Sequence, residues 1–486
     1  MANNLLLAML FTAILTTGCA PFAPNETPKP SVEIDVPFSI TTQGASTDML
    51  WWKNFESEEL NQLIETALTN NFTVATAYAR VKQASASLEQ AGAAQYPQLT
   101  LDGSAQGTRR SSQADSSSQK TISNTEKYRA GAAASYELDL WGKIEATRSA
   151  SEQTYFATQA DLDAAAVTVA ASVASTWVDL LAVREEIDIL TVQIENNVKR
   201  LDFQELRFEN GLAASVDVFQ QRQILAASQS ELPLLVAKEQ VLRNALSVLI
   251  GSTPLSPPQV SQEKLPELIP LPKTGLPSDL LMNRPDIRAA GHELFSSQWS
   301  VAQARADRLP QFTLSASAAF ESAAAGVFFQ NWAGALAGNI VQPLLDGGKR
   351  AAEVERTRAV VEERATAYAS TVATAIQEVE DALVNEKQQQ EYIKLTEAQY
   401  QATYKTLEAA QLQYLQGQSG YLPLLQEVLD VQSLERTILQ EKAELLKYRI
   451  TLYRTLGGGW THNLARVAPK ETPESSFTPE ARIEGT

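Results

Sequence analysis

One cysteine and two histidines are the only thiol and imidazole ligands in the 486-residue chain. Cys19, His292 and His462 each stand alone, with no second ligand at a metal-site spacing, so a protein-built zinc centre is excluded and the histidines read as ordinary polar positions. A single thiol also rules out an intramolecular disulfide. Long apolar runs are missing: past the N-terminus none approaches the ~20 residues of a spanning helix, and charged residues make up 20% of the chain at a mean hydropathy of -0.18. A bundle of membrane helices is therefore not expected. Basic residues are scarce, 40 Lys and Arg against 57 Asp and Glu for a net charge of -17, which would repel rather than neutralise nucleic-acid phosphates. No G-x-S-x-G elbow, Walker loop or histidine-based metal motif is present. Scattered acidic pairs such as Glu362-Glu363 suit exposed helix faces better than acid/base chemistry, so neither an enzyme nor a cofactor is expected.

What is present begins with Leu5 to Leu15, an apolar stretch too short to span a bilayer as a helix and suited to a signal-peptide core. Thr16-Thr17-Gly18-Cys19 follows and resembles a lipobox, whose cysteine is acylated after cleavage. Residues 1–18 are read as a signal peptide and 19–49 as a lipidated extended segment. Thr16 stands where lipoboxes usually carry Leu, and Met1–Asn4 has no Lys or Arg, so an ordinary signal peptide with an incidental cysteine is the alternative. Ala20, in place of an inner-membrane retention aspartate, favours the outer membrane.

The chain also matches itself. Asn71-Phe72-Thr73-Val74-Ala75-Thr76-Ala77 aligns with Arg284-Pro285-Asp286-Ile287-Arg288-Ala289-Ala290 at an offset of 213, and Pro97-Gln98-Leu99-Thr100-Leu101 aligns with Pro310-Gln311-Phe312-Thr313-Leu314 at the same offset. From Gly142-Lys143, which meets Gly348-Lys349, the offset becomes 206 and holds through Phe208/Tyr414, Gly211/Gly417 and Gly251/Gly457. Long helices impose such constancy, because one inserted residue turns every later side chain by about 100°. Two repeats result, 50–251 and 275–459, joined by a linker at 252–274 and followed by a tail at 460–486 that shows no periodicity.

Each repeat reads as helix, strand, loop, strand, long helix, turn, helix. Strands are expected at about 96–108, 126–141, 309–321 and 331–346, the first and third alternating with period two. Residues Arg109 to Ser123, rich in Ser and Gln, read as an exposed loop. A soluble sheet packed on a core shows the same alternation. If the sheet instead spans a membrane, four strands cannot close a barrel that needs ~8, so copies must share one; two copies would give a filled barrel and three an open one. The proline-free runs 142–210 and 348–416 would each be about 100 Å long as helices. Ile187, Leu190, Ile194, Leu201 and Phe208 form an expected seam, answered by Val218, Leu225 and Leu232 on a returning helix that Pro233 should kink. Antiparallel hairpins are thus expected at 142–251 and 348–457, turning at Gly211 and Gly417. Helices at about 58–94 and 277–308 should stack end to end on the returning arms.

Trp51-Trp52-Lys53-Asn54-Phe55, then Gly275-Leu276-Pro277-Ser278-Asp279-Leu280-Leu281 leading to Arg284-Pro285-Asp286-Ile287-Arg288, then Gln342-Pro343-Leu344-Leu345-Asp346-Gly347-Gly348, stand in the order of the TolC/OprM-like outer-membrane efflux channels, and the chain resembles their NodT-type lipoprotein members from Leu50 to Gly459. The resemblance implies a mixed fold, mainly α with membrane β: a homotrimer whose twelve-stranded β-barrel continues into a twelve-helix periplasmic α-barrel. It implies a lipid-anchored protein of the outer membrane with a long periplasmic extension, passively conducting drugs and other toxic small molecules. Its partners would be outer-membrane lipid, an inner-membrane transporter of the RND or MFS class, and a periplasmic adaptor that grips the tips at Gly211 and Gly417. Family members close the tunnel with acidic residues near the tips. Here Pro423 and Gln426 stand where aspartates are usual and Ser419 where an arginine latch can occur, while Asp217 matches the pattern in the first repeat and Glu427 and Asp430 follow one and two turns on. Asp217, Pro423, Gln426, Glu427 and Asp430 are the gate candidates. An exit duct for type I protein secretion and a periplasmic coiled-coil adaptor are the competing readings, and the alternating strands speak against the adaptor.

Overall fold

Helices and strands follow one another in the same order twice. The computed structural model describes residues 21–24, 32, 34, 36–41, 50–113, 120–275, 277–323 and 325–457. Cys19, the signal-peptide segment, most of the stretch before Leu50 and the tail after residue 457 lie outside the described residues. After a 3-10 turn at Trp51–Phe55 come α1 (Glu58–Asn70), α2 (Phe72–Ala93), β1 (Gln98–Gln113), β2 (Lys120–Leu138), α3 (Lys143–Glu209) and α4 (Ser215–Leu249). The second series is α5 (Pro277–Asn283), α6 (Pro285–Ala306), β3 (Gln311–Ser322), β4 (Trp332–Val341), α7 (Lys349–Leu415) and α8 (Tyr421–Thr455). α3 and α7 are 67 residues each, α4 and α8 are 35 each, and α4 continues through Pro233. Compactness divides the chain differently from the repeat. One unit takes Met1–Pro30, Arg80–Thr158 and Ala289–Ala369, the other Ser31–Ala79, Gln159–Arg288 and Ser370–Thr486.

The first unit holds an antiparallel sheet in the order β1-β2-β3-β4. Its register ties Leu99 to Ala134, Ala134 to Ala316 and Ala316 to Leu336, so one row of apolar side chains crosses all four strands on one face. Leu101 and Leu336 are each 84% exposed, so the middle of that face is open, while at its end Phe320 packs against Phe329 at 5.5 Å. Asp102, Ser104, Arg129, Ser315, Ser317 and Glu321 share the other. Three strand ends differ from expectation. β1 and β2 run on through Arg109 to Gln113 and from Lys120 to Ser123, because a cross-strand ladder needs only backbone partners and these continue to Gln113↔Lys120. β4 stops at Val341 rather than near 346, just before Pro343, which has no N–H to give to a ladder.

In the second unit Trp51, Trp52, Phe55, Leu60, Ile64, Trp177, Leu181, Leu246, Ile450 and Tyr453 are buried together. Trp51 stacks on Tyr453 at 5.7 Å and Phe55 meets Trp177 edge-on at 6.0 Å. α3 carries an 18-residue window apolar enough for a membrane span, which corrects the sequence reading that no such stretch exists past the N-terminus. That window is 67% buried in the protein, as a core helix is. Its Ala, Val and Leu are interspersed with Ser, Thr and Asp, so it does not stand out as an unbroken run.

The helices expected at about 58–94 and 277–308 are each broken in two, at Asn71 and at Arg284. Asn71 caps α2, its Oδ1 accepting from Thr73 N–H at 2.8 Å, while its Nδ2 donates to Leu249 O at the end of α4 at 2.8 Å. Arg284 donates to Thr455 O at the end of α8 at 3.0 Å, and to Asp286 and Glu378 at 2.6 and 2.9 Å. Burial acts to raise the Asp286 carboxyl, but the Arg284 guanidinium outweighs it and holds it below the usual range. Gly251 and Gly457, just past these helix ends, have φ of +76° and +84°; a Cβ there would meet Asn70 O at 2.2 Å and Asn283 O at 2.8 Å.

The linker has almost no ladder of its own, so side chains satisfy its backbone. Arg184 donates to Val260 O and Gln262 O at 2.7 and 2.9 Å, Glu59 accepts from Ser261 N–H at 2.6 Å, and Tyr453 donates to Pro270 O at 3.0 Å. Arg449, paired in the interior with Glu386, donates to Ile269 O.

Gly417 also has positive φ, +71°, yet no atom lies within 4 Å of a Cβ built there. Gly417→Ala should therefore cost about 1–2 kcal/mol through backbone conformation alone, and Gly457→Ala about 1–3 kcal/mol more through the clash. Denaturant midpoints of the purified variants measure both.

Candidate functional site at the hairpin tips

Both long hairpins turn in the same way. Leu212 N–H donates to Arg207 O at 2.8 Å and Gly211 N–H to Phe208 O at 2.9 Å; Gln418 N–H and Gly417 N–H repeat this to Gln413 O and Tyr414 O at 2.8 and 3.1 Å. This paired closure of the last carbonyls requires a left-handed residue, supplied by Gly211 at φ +72° and Gly417 at φ +71°. Both glycines are exposed.

The gate candidates fall on two hairpins and do different things. Asp217, in the first turn of α4, reaches back to accept from Ala214 N–H at 3.2 Å and so closes the helix start. Pro423 lies in the first turn of α8, where its missing N–H would have no helical partner. Gln426 donates to Asp430 Oδ1 one turn on at 3.0 Å, and Pro423, Gln426 and Asp430 form an exposed stripe, with Glu427 half-buried at its margin. Ser419 bonds only locally, to Gly420 O at 3.3 Å.

The residues that join the two hairpins were not singled out by the sequence. Glu186, Gln193, Asn197 and Gln204 recur along α3 at spacings of seven, four and seven, and all are buried. Of the apolar seam expected there, Leu190 is buried, Ile187, Ile194 and Leu201 are half-buried, and Phe208 is 48% exposed. The discrepancy arises because α3 touches α4 on one side and α8 on the other, so a second stripe must also face protein. Gln440 Nε2 donates to Glu186 Oε1 at 2.8 Å, Gln193 Nε2 to Glu435 Oε2 at 3.0 Å, and Gln221 Nε2 to Asn197 O at 2.9 Å. Nearest the turns, Tyr414 donates its hydroxyl to Gln204 Oε1 at 2.9 Å and Tyr421 to Gln221 Oε1 at 2.6 Å. The two rings lie 5.4 Å apart over Leu424, Leu425 and Val428, and the Arg207 guanidinium sits 4.6 Å over Tyr414. The seven-four-seven spacing of long polar side chains was the available signal.

Among the described residues no group of His, Cys, Asp or Glu could hold a metal ion. The tip cluster offers a different capacity: neutral hydrogen bonds between the two hairpins, each contributing about 1 kcal/mol net. Burial pushes the Tyr421 hydroxyl up to about 12 from 10.0, which keeps it a donor. The neutral form is favoured in the folded state, so this stabilisation is present below pH 10 and is lost as pH rises from about 10 to 12. Tyr421→Phe should cost about 1–2 kcal/mol at neutral pH. The gap between wild type and variant, read from denaturant curves, should shrink through that alkaline window.

Comparison with known proteins accords with this geometry. The sequence pattern of the family described as outer membrane efflux protein matches residues 63–252 and again 276–458. The pyoverdine export outer membrane protein OpmQ of Pseudomonas aeruginosa is 31% identical over 88% of this chain and 91% of its own length. The solvent efflux pump outer membrane protein SrpC of Pseudomonas putida is 29% identical over 84% and 87%. The solved outer-membrane channel OprN superposes with a TM-score of 0.83 at 27% identity, covering 91% of this chain and all of that one. With both matched segments together spanning most of its length, the chain belongs to the outer membrane efflux protein family, whose members are channels and not enzymes.

Proposed function

We propose that this chain is the outer-membrane exit duct of a tripartite efflux pump, passing small toxic molecules outward without altering them. The observation that carries the reading is the four-stranded sheet, apolar on one exposed face and polar on the other, with β1 and β4 unpaired at its edges among the described residues. Unpaired strand edges cannot persist in lipid. Three copies of four strands close a twelve-stranded barrel with the apolar faces toward lipid and the polar faces around a lumen. In this reading the two halves of the chain descend from one duplicated unit, Cys19 carries the acyl anchor, and the helical hairpins line a periplasmic tunnel.

The tips then serve two purposes. The exposed turns at Gly211 and Gly417 receive the periplasmic adaptor, which links the duct to an inner-membrane transporter of the RND or MFS class. Pro423, Gln426, Glu427 and Asp430 narrow the closed end, while Tyr414 with Gln204 and Tyr421 with Gln221 hold the hairpins in the closed position. Asp217 supports the gate only through the start of α4. Cargo selection belongs to the transporter: relatives of similar identity to this chain are named for cargoes as unlike as pyoverdine and solvents.

Native mass and single-channel conductance of the detergent-purified protein test the reading together. A trimer with a mostly closed pore is expected. In Tyr421→Phe, the loss of about 1 kcal/mol of closed-state bonding should raise the open-to-closed ratio about fivefold. A monomer without conductance would overturn the duct.

A further inference from the structure

Four charged side chains of the sheet's polar face gather at one level, and Arg110, on the same face by register, lies beyond them toward the Gln113↔Lys120 end of the ladder. Asp102 on β1 pairs with Arg129 on β2 at 3.2 Å, and Lys127 on β2 pairs with Glu321 on β3 at 2.6 Å. Arg129 and Glu321 are also direct cross-strand neighbours. Followed from partner to partner, the order is Asp102, Arg129, Glu321, Lys127, so the sign alternates and the sum of these four is zero. β4 contributes no ionisable residue. Between this level and the strand ends at Gln98 and Gln311 the same face carries Thr100, Ala133, Ser135, Thr313, Ser315 and Ser317, all neutral, until Glu137, which is paired with Lys143. The four side chains are 42–55% exposed, as groups facing water are.

We propose that Asp102, Lys127, Arg129 and Glu321 form a charge-balanced collar in the lumen of the barrel, toward its outer mouth, and that this balance makes the exit indifferent to the sign of the cargo. The proposal rests on the duct reading, which makes the polar face a lumen. The physical basis is that rings of charged side chains set ion selectivity in pores, and low-dielectric walls focus their field. In a chain of net charge -17 a neutral band at the exit is not what composition alone would give. Such a band presents neither a well that holds cations nor a barrier that rejects anions. Removing one acid per chain would leave one uncompensated base from each of three copies around the mouth.

The test is reversal potential in planar bilayers under a potassium chloride gradient, with every variant built on Tyr421→Phe to lower the resistance of the closed end. Glu321→Gln should shift the cation-to-anion permeability ratio toward anions by at least about twofold. Lys127→Gln should shift it comparably toward cations, and the double variant should return it to the starting value. Asp102→Asn and Arg129→Gln form an independent second pair with the same opposite signs, should either of the first two fail to assemble. Conducting pores whose selectivity ignores all four single changes, or moves in the same direction for acid and base removal, would overturn the collar and leave the duct standing. No conductance in any protein, wild type included, would overturn the duct and the collar with it.

Discussion

The last carbonyls of α4 and α8 accept hydrogen bonds from Asn71 and Arg284, and much of the second unit depends on that capture. A helix that ends inside a protein must give its terminal carbonyls to donors. Here the donors come from residues that also break and restart another helix, so one side chain both ends a segment and aligns the next. The glycines that follow permit the close approach, since any Cβ would strike the neighbouring backbone. The two series of elements use different chemistry at the corresponding position, an amide in the first and a guanidinium with two carboxylate partners in the second. The second joint exchanges simplicity for charge, and its interior cation is matched by Asp286 and Glu378.

Around this joint the linker behaves as structure rather than slack. Its carbonyls and amides are taken by Arg184, Glu59, Arg449 and Tyr453 from three separate helices. Burial would raise the Glu239 carboxyl, but hydrogen bonds from Arg184 and Arg243 outweigh that and hold it below its ordinary range, so Arg184 keeps an ionised partner while it grips the linker. The same helices are joined much more loosely toward the turns. There the hydrogen bonds between hairpins run from phenols to amides, groups that exchange partners with water at little net cost, beside the Arg207 guanidinium over the Tyr414 ring. Firm binding at the linker with replaceable contacts at the tips is a distribution of strength suited to movement at one end only.

Nothing in the described residues does chemistry on a substrate, and the family has none to do. What the chain contributes is surfaces: an apolar sheet face, a polar sheet face, and long helices whose seams mix apolar and polar packing. The requirements on such surfaces are periodicity and balance rather than a constellation of reactive atoms, which is why no compact motif marks them.

That difference explains what could be read in advance. Alternation in Gln98–Gln106 and Gln311–Glu321 determined which residues share a face, because a strand has period two wherever it lies. The constant offset between Gly142 and Gly457 determined that the paired helices would be equal in length, because insertions cannot be absorbed inside a helix. The turns followed from Gly211 and Gly417, since few other residues accept a left-handed backbone. The tertiary structure alone decided the rest. Arg284 reads as an ordinary helical residue until the end of α8 arrives beside it. Arg109 to Gln113 reads as loop until β2 offers a ladder, and the stretch of α3 that passes for a membrane span is a core helix only because other helices cover it. Gln193, Asn197 and Gln204 look like solvated positions until α8 and α7 close over them, and Asp217 accepts from Ala214 N–H at the start of its own helix. Local periodicity is written in one segment, whereas the partner that satisfies a buried donor or covers an apolar face comes from a distant one.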